Sequence, residues 1–148
     1  NTYGPRQSVR AIIPAIITQL LAGAKTLQLG DLRPTRDLVY VADTAAALIS
    51  LAGLTESVGE VVNIATQREY AMSELVQQLI DLSGQVAEVI QDPQRLRPAT
   101  SEVMRLCGSH EKLRLLTGSV PATSLREGLG HTLAWFRQQP PGSLAYQV

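Results

Sequence analysis

Five apolar residues, Ile13, Ile16, Ile17, Leu20 and Leu21, recur at i, i+3, i+4, i+7 and i+8. That spacing puts them on one broad face of an α-helix, and such a face has to be buried against another element. Pro14 falls in the first turn, where the N–H that proline lacks has no partner to lose; Gly23 ends the helix. The same stretch is broken by Pro14, Thr18 and Gln19 and is too short to span a bilayer. The chain must therefore build a core, and 148 residues suffice for one domain without staples.

The other elements follow from similar local signals. Thr26 to Leu29 reads as a short strand, and Leu38 to Val41 as a second extended piece. Asp43 looks like the N-cap of an Ala/Leu/Ile-rich helix running to Ala52. Val61-Val62-Asn63-Ile64-Ala65 is β-branched and apolar without alternation, the pattern of a strand covered on both faces in a parallel sheet. A helix starting at Ala71 or Ser73 buries Leu75, Leu79, Ile80 and Leu82 and stops at Gly84. Ala87 to Ile90 is extended and leads into a loop carrying Arg95, Arg97 and Pro98. A helix over Glu111 to Leu116 precedes a last one that begins at Ser124, with Glu127 three residues on as in a capping box. The strands do not obviously join into one continuous sheet.

Several chemistries are excluded or weakened by composition. Thirteen acidic residues balance thirteen basic ones with no basic run, which argues against nucleic-acid binding. The single Cys107 cannot close an internal disulfide and lacks any nucleophile pattern; a small, at least half-buried side chain is expected there. No signal-peptide pattern opens the sequence, so a soluble cytoplasmic location and no membrane partner are expected. His110 and His131 stand far apart without a second ligand at metal spacing. There is no Gly-x-Ser-x-Gly elbow and no Gly-x-x-x-x-Gly-Lys phosphate loop.

The arginines carry more information. Arg36 stands at the end of a loop just before an extended stretch, and Pro98 holds Arg97 extended. Two loop arginines on semi-rigid bases suit bidentate contacts to phosphate oxygens, because guanidinium presents a planar fork of donors. The other reading is that both are surface residues paired with acids such as Asp37 or Glu102.

Taken in order, Asn1-Thr-Tyr-Gly-Pro-Arg6, an apolar helix with Ile-Pro, Leu27-x-Leu-Gly-Asp31, Arg36-Asp-x-x-Tyr-Val-x-Asp43, Val61-Val-Asn-Ile-Ala65 and Arg97-Pro98 resemble the C-terminal half of the NAD-dependent epimerase/dehydratase family. These are extended short-chain dehydrogenases acting on nucleotide sugars. The resemblance covers residues 1–137, and the Arg97-Pro98 to Val103 stretch is most similar to the 4,6-dehydratase branch. It implies an α/β (mixed α+β) fold: a nucleotide-sugar-binding domain over residues 1–137 with a flexible tail over 138–148, the Rossmann cofactor half being absent. It further implies that Asn1 hydrogen-bonds the diphosphate or sugar, that Arg36 and Arg97 clamp the diphosphate, and that Gln28 offers a polar contact to the nucleobase. Glu102 would reach the ribose or orient an arginine. Tyr3 and Pro5 would shape the loop, and Asp43 would remain a helix cap.

Departures from the family pattern bear on activity. The family's reaction needs a Gly-rich dinucleotide loop and a Tyr-x-x-x-Lys pair that moves protons while NAD takes a hydride. The residue four after Tyr3 is Gln7, after Tyr40 Thr44 and after Tyr70 Glu74. The expectation is thus a substrate-binding portion, inactive alone, with no cofactor of its own and NAD belonging to the parent enzyme. The alternative is a stand-alone binding or interaction module acting as an oligomer. Its partners would be a nucleotide diphosphate sugar and either a second copy or the Rossmann half, with Val61 to Ala65 or its flanking helices at the contact.

Overall fold

In the computed structural model, which describes residues 1–95 and 103–140, the apolar stripe forms α1 over Ile12–Leu21. Ile13, Ile16, Ile17 and Leu20 are buried; Leu21, the end of the predicted stripe, turns outward. Pro14 occupies the first turn as expected, and Gly23, at φ 75°, lets the chain reverse after the helix. The stripe packs against α3 (Met72–Ser83) and α5 (Leu125–Arg137). From α3 come Met72, Leu75, Val76 and Leu79; from α5 come Leu125, Leu129, Leu133 and Phe136. Gly84 closes α3 in the left-handed conformation. Ser124 caps α5 by accepting the Glu127 N–H at 3.3 Å, as the sequence predicted.

The strands form three small sheets, giving a mixed α/β fold. β1 (Thr2–Tyr3) runs parallel to β4 (Val39–Tyr40). β2 (Thr26–Leu29) runs parallel to β6 (Glu88–Gln91) with Thr26 opposite Glu88. β3 (Thr35–Arg36) sits between antiparallel β5 (Tyr70–Ala71) and parallel β7 (Arg105–Leu106). The two remaining helices are α2 (Val41–Ala52) and α4 (Glu111–Thr117), which pack on each other. No described helix is long and apolar enough to cross a membrane.

Three expectations are corrected. Residues 61–65 are not a strand: no described strand pairs with them, and Val61 is 83% exposed. Within this segment Val61 and Asn63 are exposed, Val62 and Ile64 half-buried, and Ala65 buried beside Gly108 and His110. Asp43 does not cap α2. The extended residue Tyr40 leads directly into the helix, which starts at Val41, and the Asp43 carboxylate instead takes the Thr123 N–H at 2.9 Å and hydroxyl at 3.0 Å. Cys107 is exposed rather than buried.

Tyr3 ties the first strand to the last helix. Its ring is 2% exposed, packs edge-on to Tyr40 at 5.8 Å, and donates its hydroxyl to the Leu125 carbonyl at 3.3 Å. Burial pushes the Tyr3 phenol far above its ordinary pKa, so it stays a neutral donor. The ring fits because Gly128 has no side chain: a Cβ there would lie 2.1 Å from the Tyr3 hydroxyl. Gly130, two residues on in the same helix, has open space around its Cβ position. Gly128→Ala is therefore expected to destabilise the fold by about 1–3 kcal/mol through overpacking. Gly130→Ala should stabilise it by up to about 1 kcal/mol through helix propensity. Urea denaturation of the two variants checks the opposite signs.

Candidate functional site

An open cleft of about 460 Å³ lies where the N-terminal segment, the start of α1, the β2–β3 connection and Arg95 meet. Its floor is apolar, from Ile13, Leu29, Leu38 and Met72, and its polar groups include Asn1, Gln7, Arg10, Arg36 and Arg95. Local structure explains how each of these reaches it. Asn1 precedes β1 and is anchored by its carbonyl, which accepts the Val39 N–H at 3.1 Å. The Gly4–Gln7 segment is a turn closed by the Gln7 N–H on the Gly4 carbonyl at 3.3 Å, with Arg6 at φ 65°. The side-chain amide of Gln7 then donates to the Thr2 carbonyl at 3.2 Å. Gly30 lets the chain pass Arg95, since a Cβ there would come within 2.6 Å of the Arg95 carbonyl.

Arg36 is positioned by its neighbour. Asp37 is 5% exposed, and its carboxylate accepts the Thr66 N–H at 2.9 Å, the Thr66 hydroxyl at 2.6 Å, the Gln67 N–H at 3.0 Å and the Gly108 N–H at 3.3 Å. A buried carboxylate is stable only with this many donors. The bonds clamp the segments around residues 66 and 108 onto the end of β3 and hold Gln67 at φ 58°. Arg36, one residue earlier, is thereby directed to the cleft side, where one guanidinium nitrogen donates to the Thr35 carbonyl at 2.8 Å. Asp37 is thus engaged with backbone donors and does not serve as the surface ion-pair partner considered for Arg36.

Of the other charged groups around the cleft, Asp31 is engaged by Arg33, which donates to both oxygens, at 2.7 Å to one of them. These hydrogen bonds pull the Asp31 carboxyl down to about 2. Arg95 pairs with Asp92 at 3.1 Å. Next to β3, Glu69 accepts Arg105 at 2.7 Å and is lowered by that bond. Partial desolvation and the neighbouring Asp37 and Glu69 carboxylates raise the exposed Cys107 thiol above its usual range against the opposing pull of Arg105, which disfavours a nucleophilic thiolate. No group of three His, Cys, Asp or Glu suited to a metal ion occurs among the described residues.

The cleft brings together Asn1 and Arg36 from the expected set. Gln28 does not line it. Alternation along β2 buries Leu27 and Leu29 and leaves Gln28 facing outward, with its N–H on the Gln19 side chain at 3.1 Å. Arg97 and Glu102 lie outside the described residues. Sequence reasoning gave no binding role to Gln7 or Arg10, which no local motif marks, and named Arg95 only as part of the loop that carries Arg97 and Pro98. Only the convergence of three distant segments marks them as cleft residues.

The family model for GDP-mannose 4,6 dehydratase matches residues 1–132, nearly the whole described chain. The chain belongs to the NAD-dependent epimerase/dehydratase family. Within this family it is 31% identical over 134 residues to GDP-6-deoxy-D-mannose reductase of Pseudomonas aeruginosa, covering 87% of this chain and 43% of that protein. It is also 31% identical to UDP-N-acetyl-alpha-D-glucosaminuronate decarboxylase of Bacillus cytotoxicus, with 93% and 44% covered. Among solved structures it superposes on UDP-glucose 4-epimerase with UDP-glucose from Thermotoga maritima, with a TM-score of 0.80, 30% identity, and 93% of this chain and 44% of that one covered. The chain therefore spans less than half the length of the family members it matches.

Asp37→Ala would leave three backbone N–H groups without their acceptor, each costing about 1–3 kcal/mol when buried. A loss of about 3 kcal/mol or more is expected in denaturant unfolding. Asp37→Asn should recover little of it, because an amide nitrogen would face donors.

Proposed function

We propose that this chain is the nucleotide-sugar-binding part of an NAD-dependent epimerase/dehydratase of the 4,6-dehydratase type, and that it turns over nothing by itself. The observation that carries the reading is the cleft, in which Asn1 and Arg36 stand over an apolar floor. A guanidinium fork on a rigid strand suits a diphosphate, and an apolar floor suits a base or the faces of a sugar ring. Relatives named for GDP-, UDP- and dTDP-linked sugars support the ligand class. The assignment of Arg97 and Glu102 to the same ligand stands as part of this proposal, on the resemblance alone.

The chain's own residues do not fit a dinucleotide. The sequence has no Gly-x-Gly-x-x-Gly after a strand: its one Gly-x-Gly, Gly128 to Gly130, lies inside α5. No Lys stands four residues after Tyr3, Tyr40 or Tyr70. What this half can do is bind and orient, and binding that is equal in ground and transition states does not lower the chemical barrier. The prediction is no turnover of GDP-mannose, UDP-glucose or dTDP-glucose with or without NAD; steady NAD-dependent product formation by the pure chain would overturn it.

Binding is tested by calorimetry with UDP, GDP and dTDP and their glucose or mannose esters. Arg36→Ala should weaken a binding nucleotide about tenfold or more, since a hydrogen bond to a charged group contributes about 1.5–3 kcal/mol. Arg36→Lys should recover only part of that. Unchanged affinity in both variants would return Arg36 to an ordinary surface role.

The surface outside the cleft supports association, the other half of the proposal. α2 buries only Ala47 and leaves Leu48 and Ile49 in solvent, Ile49 at 75% exposure, with Val58 and Val61 also exposed. An apolar surface of this kind marks an interface. In the parent enzyme we assign its cover to the cofactor half; for the isolated chain we assign it to a second copy. Light scattering at micromolar concentration should show a dimer or larger species, and Ile49→Lys with Val61→Lys should reduce it to monomer. A monomeric wild type would refute this.

A further inference from the structure

We propose that the outer edge of β6 is a second self-association site, on which another copy of this chain adds its own β6 as an antiparallel strand centred on Val89. The proposal is independent of the cleft and its ligand. β6 has one strand neighbour, β2. The Glu88 N–H donates to the Lys25 carbonyl at 2.9 Å, and the Asp92 N–H to the Leu29 carbonyl at 2.8 Å. With a period of two, Glu88, Ile90 and Asp92 turn their backbone groups to β2, while Ala87, Val89 and Gln91 turn theirs outward. Among the described residues, no hydrogen bond takes up these outward groups. The opposite edge of the same sheet is closed, because the Gln19 side chain of α1 accepts the Gln28 N–H of β2 at 3.1 Å.

Nothing in the sequence guards the open edge. Edge strands are ordinarily blunted by lysine, proline or a bulge. β6 reads Glu88-Val-Ile-Gln91, and Pro93 comes only after it. All four residues are exposed, Val89 at 42% and Ile90 at 51%. Charge then selects the occupant and its register. When two such edges meet antiparallel, outward-facing residues oppose one another. Centring the pair on Glu88 sets that carboxylate against its own copy, and centring it on Ile90 sets Glu88 against Asp92. A parallel pairing in register also puts Glu88 beside Glu88. Like charges directly opposite are destabilising. Centring on Val89 sets Val89 against Val89, Ala87 against Gln91 and Glu88 against Ile90, with no like-charge pair. A second copy thus matches this edge in one register. The contact spans only Ala87 to Gln91, against the roughly 20–30 residues a side of a stable complex. It is therefore weak by itself and adds to the association proposed for α2.

The test is amide NMR of the isotope-labelled chain between about 50 µM and about 1 mM, the range of weak affinities. Wild type is compared with the Ile49→Lys/Val61→Lys variant, which removes the α2 contact. In both, the amide protons of Ala87, Val89 and Gln91 should move downfield with concentration, while those of Ile90 and Asp92, bonded to β2, stay in place. Ile90→Lys sets a lysine opposite Glu88 and Ile90→Glu sets a glutamate there. Each strand pair holds two such contacts, so the lysine variant should half-associate at a concentration about tenfold or more below the glutamate variant. Glu88→Lys combined with Ile90→Glu restores opposite charges and should recover the association. Ile90 is exposed, so these variants keep the β2 ladder, and unchanged Leu27 and Leu29 amides verify it. Outward amides that do not respond to concentration in wild type overturn the inference, as does equal association of Ile90→Lys and Ile90→Glu. Neither result touches the reading of the cleft.

Discussion

The carboxylate of Asp37 locks together segments that the short pairings of β3 with β5 and β7 bring side by side. It receives donors from residues 66, 67 and 108, which are about thirty and seventy positions away. Closing such loops costs entropy that grows slowly with length, and a charged acceptor with several good donors is a strong enough bond to offset it. Because the group is buried, the arrangement tolerates little partial loss: each N–H released would be left without an acceptor in a poorly solvated place. The end of β3 is fixed as a result, and with it the neighbouring Arg36. The site's main phosphate candidate thus depends on a structural acid that itself faces away from the cleft lining.

Tyr3 does the same for the other wall. Asn1 and Gln7 flank a two-residue strand that could not hold its place on two backbone pairings alone. The ring of Tyr3, seated over Gly128 and bonded to the Leu125 carbonyl, attaches that strand to α5. α5 in turn packs with α1 and α3 around the common core. One aromatic residue therefore couples the cleft's N-terminal edge to the three-helix layer, which is why a glycine inside a helix, normally a weakening choice, is the residue that fits.

How far the fold could be read from the sequence depended on whether the signal was local. α1, α3 and α5 were legible because burial on one helix face imposes a 3.6-residue period, and Ser124 was legible as a cap because its partner Glu127 is three residues away. Asp43 carried the same kind of signal and misled, because its donor is Thr123, eighty residues on, and propensity cannot see such a partner. Residues 61–65 misled differently. Their β-branched composition suits an extended segment, but they have no strand partner among the described residues, and only Ala65 is fully buried. Gln28 could have been set aside by counting alternation from Leu27 and Leu29. Of the cleft lining, Asn1 and Arg36 stood out through an ordered set of motifs and Arg95 only as part of a loop; Arg10 did not, because nothing short-range distinguishes a cleft arginine from a surface one.

The division of labour proposed for this half has a physical basis in the cleft. Most polar groups that converge on the cleft are suited to bind: the guanidinium groups of Arg10, Arg36 and Arg95 and the side-chain amides of Asn1 and Gln7. None combines a titratable acid or base near neutrality with a partner that would tune it. Asp31 is committed to Arg33, Tyr3 is buried as a neutral donor, and Asp37 is saturated by backbone N–H groups. General acid–base catalysis needs a group whose proton can leave and return at the working pH, and the cleft's geometry withholds each candidate from that role. Such a surface can fix where a nucleotide sugar lies and which edge it presents. On the function proposed above, the groups that break and make bonds would approach from the open side of the cleft.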